Sequence, residues 1–444
     1  MRWYVLRTYL GASLWFVPMV CVLIGVGLSF GTIALDHLSG GSVVPRSLSG
    51  DSEAALAILS TVAVAMVTLT GLVLTITMVV VQLAMGQFTP RVLRTILRDR
   101  PSQFAIGVFV ATFAHAMLVM REVQAPTEDE PEGVVPGLAI VVAYVLILVS
   151  IMVLVLYVHH IGRALRVAAL IDSVGDDARE LLEQLYPPGP MDATPPELEL
   201  PQPAEPTQKV VAAQHGVVVQ IDVPALVEAG ADADALIVTV PRMGDFVPEG
   251  AVLFEVIGGS VDADTLRRAV VLGNERTLNR DLAYGFRLLV DVAVRSLSPS
   301  MGDPTSATQA VDRIHDLLRQ LAIRPFPTGR HLDGDGVLRV VVPTLTWEGY
   351  VRLSVDELRG YGRTSMQALR RIEAMLRDLL DIVPPERRPI LEEELELIER
   401  AVPAEFDQEA DRRAATTPDQ QGIGSGTDVV RDDLAVAADA TRAR

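Results

Sequence analysis

Cysteine and lysine are almost missing from this chain of 444 residues: Cys21 and Lys209 are the single representatives of their types. One cysteine excludes an intrachain disulfide framework and a thiolate metal site. With one lysine, the basic residues are otherwise all arginine, a bias associated with GC-rich bacterial genomes. Basic residues are also in deficit, 38 against 56 acidic ones, and the formal net charge of −18 falls almost wholly in the later two-thirds of the chain. Nucleic acid binds through a basic surface, so it is not expected as a partner. The sequence also lacks a His/Asp/Ser triad spacing, a Gly-rich phosphate loop and a His-x-x-x-His helix. Neither an enzyme, a cofactor nor a bound metal is expected. Long apolar runs are the last absence, and it is confined to the part after Arg163.

Before Arg163 such runs dominate. Leu14–Leu35, Ala57–Leu83, Phe104–Met120 and Val134–Val158 are four stretches of the length a helix needs to cross a hydrocarbon core of about 30 Å. Residues 1–163 therefore read as a four-helix transmembrane domain. Arg2 and Arg7 precede the first stretch, Arg91, Arg94, Arg98 and Arg100 follow the second, and Arg163 and Arg166 follow the fourth. The two remaining loops are acidic, with Asp36, Asp51 and Glu53 in one and Glu122, Glu128, Asp129, Glu130 and Glu132 in the other. Arginine-rich short loops stay inside, so both termini are expected in the cytoplasm of a bacterial cell, with the protein in its inner membrane. The first stretch is too long for a cleaved signal core and no small-x-small site follows it. Gly27 and Gly31 within it form a small-xxx-small pair that predicts close helix approach.

The remainder predicts a cytosolic α+β domain. Residues 164–208 read as a helical extension followed by a linker dense in proline and acid. Residues 209–258 alternate short β-branched runs with turn signals. Within them Val240–Leu253 resembles the small barrel of biotinyl and lipoyl carrier domains, although any small β-module fits as well. No lysine stands at a hairpin tip to be modified, which excludes carrier chemistry. Residues 259–403 are mainly helical, around 277–297, 305–321, 349–358, 365–382 and 389–401, with a short β-run at 337–342. Residues 404–444 are polar and aperiodic, which predicts a disordered tail.

Candidate functional residues concentrate in the second membrane stretch. Thr61, Thr68, Thr75 and Gln82 recur every seven residues, close to two helical turns, with Thr70 and Thr77 on a neighbouring line. Such a stripe either cements helices or lines a wet path in an oligomer. His115, midway along the third stretch, is costly in lipid and hence either functional or bonded to a Thr or Gln of the second helix. His159 and His160 are neighbours and point about 100° apart, so they anchor at an interface and do not form a metal site. Thr89-Pro90 starts a helix with Val92, Leu93, Ile96 and Leu97 on one side. Arg91, Arg94 and Arg98 on the other suit lipid headgroups or a pore mouth. Ser298, Pro299, Asp303 and Pro304 form an interhelix motif whose Asp303 reads as a helix cap more readily than as a catalytic carboxylate.

Four of these segments together resemble a known family. They are Gln82–Arg91, Tyr157-Val158-His159-His160-Ile161, Gly244-Asp245-Phe246-Val247 and Leu297–Pro304. The chain from Ser13 to Arg400 is similar to bacterial predicted membrane proteins known only as a domain of unknown function. In that family Asn usually precedes the Asp-Pro of the interhelix motif, where this chain has Gly302. The resemblance implies the architecture and carries no activity, cofactor or catalytic residue. The expectation is a homo-oligomeric channel or transport-type protein in the lipid bilayer, its pore lined by the second helix and passing a small ion or solute. The alternative is a membrane-anchored scaffold or sensor whose cytosolic domain binds a partner.

Overall fold

The computed structural model describes residues 15–38, 44, 51–87, 100–124, 135–164, 166–189, 205–278 and 280–424. They fall into two compact units, Met1–Ala169 and Leu170–Arg444.

The first unit is built from α1 (Phe16–Leu38), α2 (Ser52–Gln87), α3 (Arg100–Glu122) and α4 (Gly137–Ala164). All four are long and apolar enough to cross a membrane. At 1.5 Å per residue the 36 residues of α2 extend about 54 Å, well beyond a hydrocarbon core of about 30 Å. Asp51 caps its start, accepting from Ala54 N at 2.8 Å. α3 is the central helix: α1, α2 and α4 all pack on it. Half of its apolar span is buried, against 17% for α1 and α2. α2 lays Ala55, Leu59, Val62, Met66 and Val73 into that core.

Lipid tails are as apolar as leucine, so burial alone does not hold membrane helices together; close packing and hydrogen bonds do. The close approach of α1 to α3 uses Gly25 and Gly107. A Cβ on Gly25 would stand 2.8 Å from Ala111 O, and one on Gly107 would stand 2.8 Å from Cys21 Sγ. The small pair expected from the sequence, Gly27 and Gly31, has no atom within 4 Å of either added Cβ. It lies on the exposed side of the helix, because spacing identifies a small-residue face without saying which face meets a neighbour.

The second unit opens with α5 (Val167–Leu185), whose Leu170, Ile171, Val174, Ala178, Leu181 and Leu182 are buried on one side. Its polar side is tied down by Arg313 to Asp172 at 2.6 Å and by Arg179 to Asp316 at 2.9 Å. Eight strands follow: β1 (Gln208–Val211), β2 (Gly216–Ile221), β3 (Leu236–Thr239), β4 (Phe246–Val247), β5 (Val252–Ile257), β6 (Val270–Gly273), β7 (Arg330–Leu332) and β8 (Leu338–Val341). They form a five-stranded sheet ordered β1-β5-β3-β8-β7 and a three-stranded sheet ordered β4-β2-β6. β3 and β8 run parallel; the other pairs are antiparallel. Helices α6 (Val223–Asp232) and α7 (Ala263–Arg268) complete a core around Leu226, Ile237, Phe254, Val256, Leu266 and Val340. The β-module thus reaches beyond residue 258: it takes in β6 and β7 from the stretch read as mainly helical, and β8, which falls in the β-run expected at 337–342. Lys209 sits within β1, opposite Glu255 at 3.1 Å, and not at a hairpin tip.

Six helices make up the rest: α8 (Leu282–Ser296), α9 (Pro304–Ala322), α10 (Trp347–Gly362), α11 (Met366–Ile382), α12 (Arg388–Glu405) and α13 (Glu409–Ala415). Side chains of Asp281, Asp303, Thr346 and Ser365 cap the first four, each accepting an N–H that the helix cannot satisfy itself. Residues 404–424 depart from the tail expectation. After α13 the chain folds onto α11, with Arg370 Nε donating to Thr417 O at 3.1 Å and Asp419 N to Arg370 O at 3.2 Å. Residues 425–444 lie outside the described residues, as do 190–204 of the proline-rich linker.

Candidate functional site

Thr61, Thr68, Thr75 and Gln82 all lie on the exposed side of α2. Among the described residues no helix of the unit covers them. Each threonine hydroxyl turns back onto its own helix, donating to Ala57 O at 2.8 Å, Val64 O at 2.9 Å and Gly71 O at 2.8 Å. Ala54, Ala57, Val64, Gly71 and Met78 are exposed along the same side, so the line is a polar and small-residue stripe at heptad spacing, flanked by exposed Val67, Leu72, Leu74 and Val79. The neighbouring line behaves differently. Thr77 Oγ1 meets Tyr157 Oη of α4 at 3.0 Å, and that hydroxyl lies 3.3 Å from Val73 O. Thr77 is helix–helix cement within the unit; the Thr61–Gln82 line is not.

His115 is fully buried. Its partners are not on α2. Nδ1 lies 2.9 Å from Ser29 Oγ of α1, and Nε2 lies 3.0 Å from Ala139 O of α4. The same Ala139 is held from its other side. Asp36, near the end of α1, accepts from Leu138 N at 3.1 Å and Ala139 N at 3.2 Å. α4 begins after Pro136, which has no side chain to cap it. A carboxylate from another helix takes that role, favoured by the partial positive charge of a helix N-terminus. Asp36 counts in the sequence only as a loop acid. The one signal for more was its place in the last turn of an apolar helix. Thr112 Oγ1 of α3 and Ser150 Oγ of α4, 3.2 Å apart, add a further polar contact. The unit therefore has interior polar groups that can position the start of α4.

The other candidates are simpler. His159 is exposed and His160 half-buried, and no His/Cys/Asp/Glu group fit to hold a metal occurs among the described residues. Arg91, Arg94 and Arg98 lie outside the described residues. Asp303 caps α9, accepting from Ser306 N at 3.1 Å, with Pro304 in the first turn. Ser298 Oγ donates to Arg295 O at 2.6 Å and meets Ser300 Oγ at 3.0 Å, and Pro299 lies in the same turn. Gly302 has φ of +58°, a left-handed conformation that glycine and, among other residues, asparagine adopt most readily. The Asn usual at this place in the resembling family meets the same requirement.

Two clusters of titratable groups in the second unit had no sequence signal. His315 Nε2 donates to Asp378 Oδ2 at 2.8 Å, while Arg371 Nη2 donates to His315 Nδ1 at 2.9 Å. Arg371 also reaches Asp312 at 2.6 Å. Burial, and then the Arg371 charge, lower the His315 pKa, so the neutral ring bonds at both nitrogens and neither is left to act as a base. Glu394 of α12 is 0% exposed and accepts from Arg359 Nε at 3.1 Å. Burial raises its pKa, opposed by Arg359.

Comparison with known proteins is consistent with this architecture. Uncharacterized proteins of Mycobacterium bovis and Mycobacterium tuberculosis are each 30% identical to the chain over 417 residues, covering 91% of it and 79% of their own length. No solved structure matches. The family model described as "Predicted membrane protein (DUF2254)" matches residues 11–378, from before the first apolar helix into α11, and the chain belongs to that family.

Proposed function

We propose that the protein is a homo-oligomeric channel or transport-type protein of the bacterial inner membrane, with α2 facing the axis and both termini in the cytoplasm. The observation that carries this reading is the exposure of the Thr61, Thr68, Thr75 and Gln82 line on a unit whose Ser29, Thr32, Thr112, His115 and Ser150 are buried. Small side chains at Ala57, Gly71 and the threonines let copies of α2 approach closely. Their hydroxyls, each donating its one proton to its own helix, keep lone pairs able to accept from water in a narrow path. The permeant species is a small ion or solute, the lipid bilayer is the other partner, and no step of chemistry is assigned.

Replacing Thr68, Thr75 and Gln82 together with leucine creates an apolar constriction, which gates by dewetting. The expected result in reconstituted vesicles is loss of flux with assembly retained. Weakened assembly without a selective flux defect identifies the line as a packing seam instead. Vesicles of the unaltered protein that pass neither cations nor anions above protein-free controls, across pH, voltage and tension, refute the channel reading and leave the membrane-anchored scaffold or sensor.

A further inference from the structure

We propose that His115, with Ser29, Ala139 and Asp36, is a proton-binding site inside the four-helix unit. It is built within one protomer and stands whether or not α2 lines a pore. The key is the Ser29 hydroxyl, which lies 3.0 Å from Gly25 O and 2.9 Å from His115 Nδ1. It has one proton and two acceptors in reach. With His115 neutral, Nε2–H donates to Ala139 O and the Ser29 hydroxyl donates to the Nδ1 lone pair. When a proton from water adds to Nδ1, the Ser29 O–H turns to Gly25 O, and the new Nδ1–H donates to Ser29 Oγ. Both states keep every ring nitrogen bonded, and no heavy atom changes its neighbours. A buried histidine whose surroundings accommodated one state alone would need helices to part before it could titrate.

The charge has a counterpart in place. The Asp36 carboxylate grips the N–H of the same residue whose carbonyl binds Nε2, so an anion and the imidazolium bracket a single residue, Ala139. An imidazolium alone at this depth is costly; across from a carboxylate it is less so. Among the described side chains, the other titratable groups on the helices packed against α3 are Cys21 and His37 on α1, Glu53 on α2, and Tyr144, Tyr157, His159 and His160 on α4. Asp36 and His115 are the charged or imidazole side chains buried in the described part of this unit. Because Asp36 caps α4 and His115 holds its first turn, the proton is bound where α4 joins the bundle.

The test uses the full chain with 15N-labelled histidine rings in lipid nanodiscs. His115 is assigned as the signal lost in His115→Gln. Should that variant fail to fold, Ser29→Ala, which removes only the Nδ1 partner, marks the same signal by its shift. The expected result is a neutral ring protonated at Nε2 at high pH that becomes doubly protonated within the interval of about pH 5 to 8. Asp36→Asn should lower the ratio of protonated to neutral ring at a given pH, since it removes an opposite charge. A ring that stays neutral throughout that interval overturns the site, and unchanged titration in folded Asp36→Asn removes Asp36 from it.

Discussion

Glu394, buried, and His315, half-buried, are titratable residues whose surroundings push stability in opposite directions with pH. Glu394 has a raised pKa in the folded chain, owing first to burial. A group raised above its unfolded value stabilises below that value and loses the contribution as pH rises through the folded one. Glu394 therefore stabilises less as pH rises, and Glu394→Gln, which still accepts from Arg359, should melt no lower than the unaltered protein at pH 7. Its advantage should shrink as pH falls. A clearly lower melting temperature at pH 7 would show that the Arg359 pair outweighs burial. His315 has a lowered pKa, from burial and then Arg371, so the unfolded chain takes up a proton first. Its contribution is complete above its unfolded pKa of about 6.5 and is lost as pH falls below that value. His315→Ala leaves Arg371 and Asp378 each short of a bond, which should cost about 1–3 kcal/mol at pH 8 and flatten the loss between pH 6.5 and the folded pKa. Denaturant melts at several pH values check both expectations.

Among the elements, α1 shows how far spacing alone can mislead. Its glycines look alike in the sequence, yet Gly25 meets Ala111 of α3 while Gly27 faces open space. Gly25→Val should overpack the α1–α3 contact at a cost of about 1–3 kcal/mol, seen as a lower melting temperature in detergent. Gly27→Val should be tolerated; equal losses at both positions would contradict the assigned face. The caps were easier to read, because Asp303 and Ser365 act on the first turn of their own helix and need no partner from elsewhere. Asp36 needed one. Its carboxylate caps a helix that begins about a hundred residues later, a relation that local sequence cannot hold. The pairing of the β-run at 337–342 with the β-module was illegible for the same reason. β3 pairs in parallel with β8, Val238 beside Val341, and the alternation within 209–258 says nothing of a strand so remote.

For the whole molecule, the charge bias of the loops makes a direct prediction. In a Cys21→Ser background, reporter cysteines at Ser42 and Glu128 should react with an impermeant thiol reagent added to intact cells, and one at Ser173 should not. Labelling at Ser173 would reverse the proposed orientation.

The sequence by itself determined that four helices cross a bilayer, that a mixed α/β unit follows, and where most helices of that unit begin. Those properties rest on hydrophobic length, period and capping, which act over a few turns. Only the tertiary structure decided that α3 is the central helix, that the Thr61–Gln82 line is left uncovered, and that His115 is bound by Ser29 and Ala139 and not by α2. Helical period assigns residues to a face, but which face a second helix occupies depends on close packing and hydrogen bonds between segments far apart in the chain.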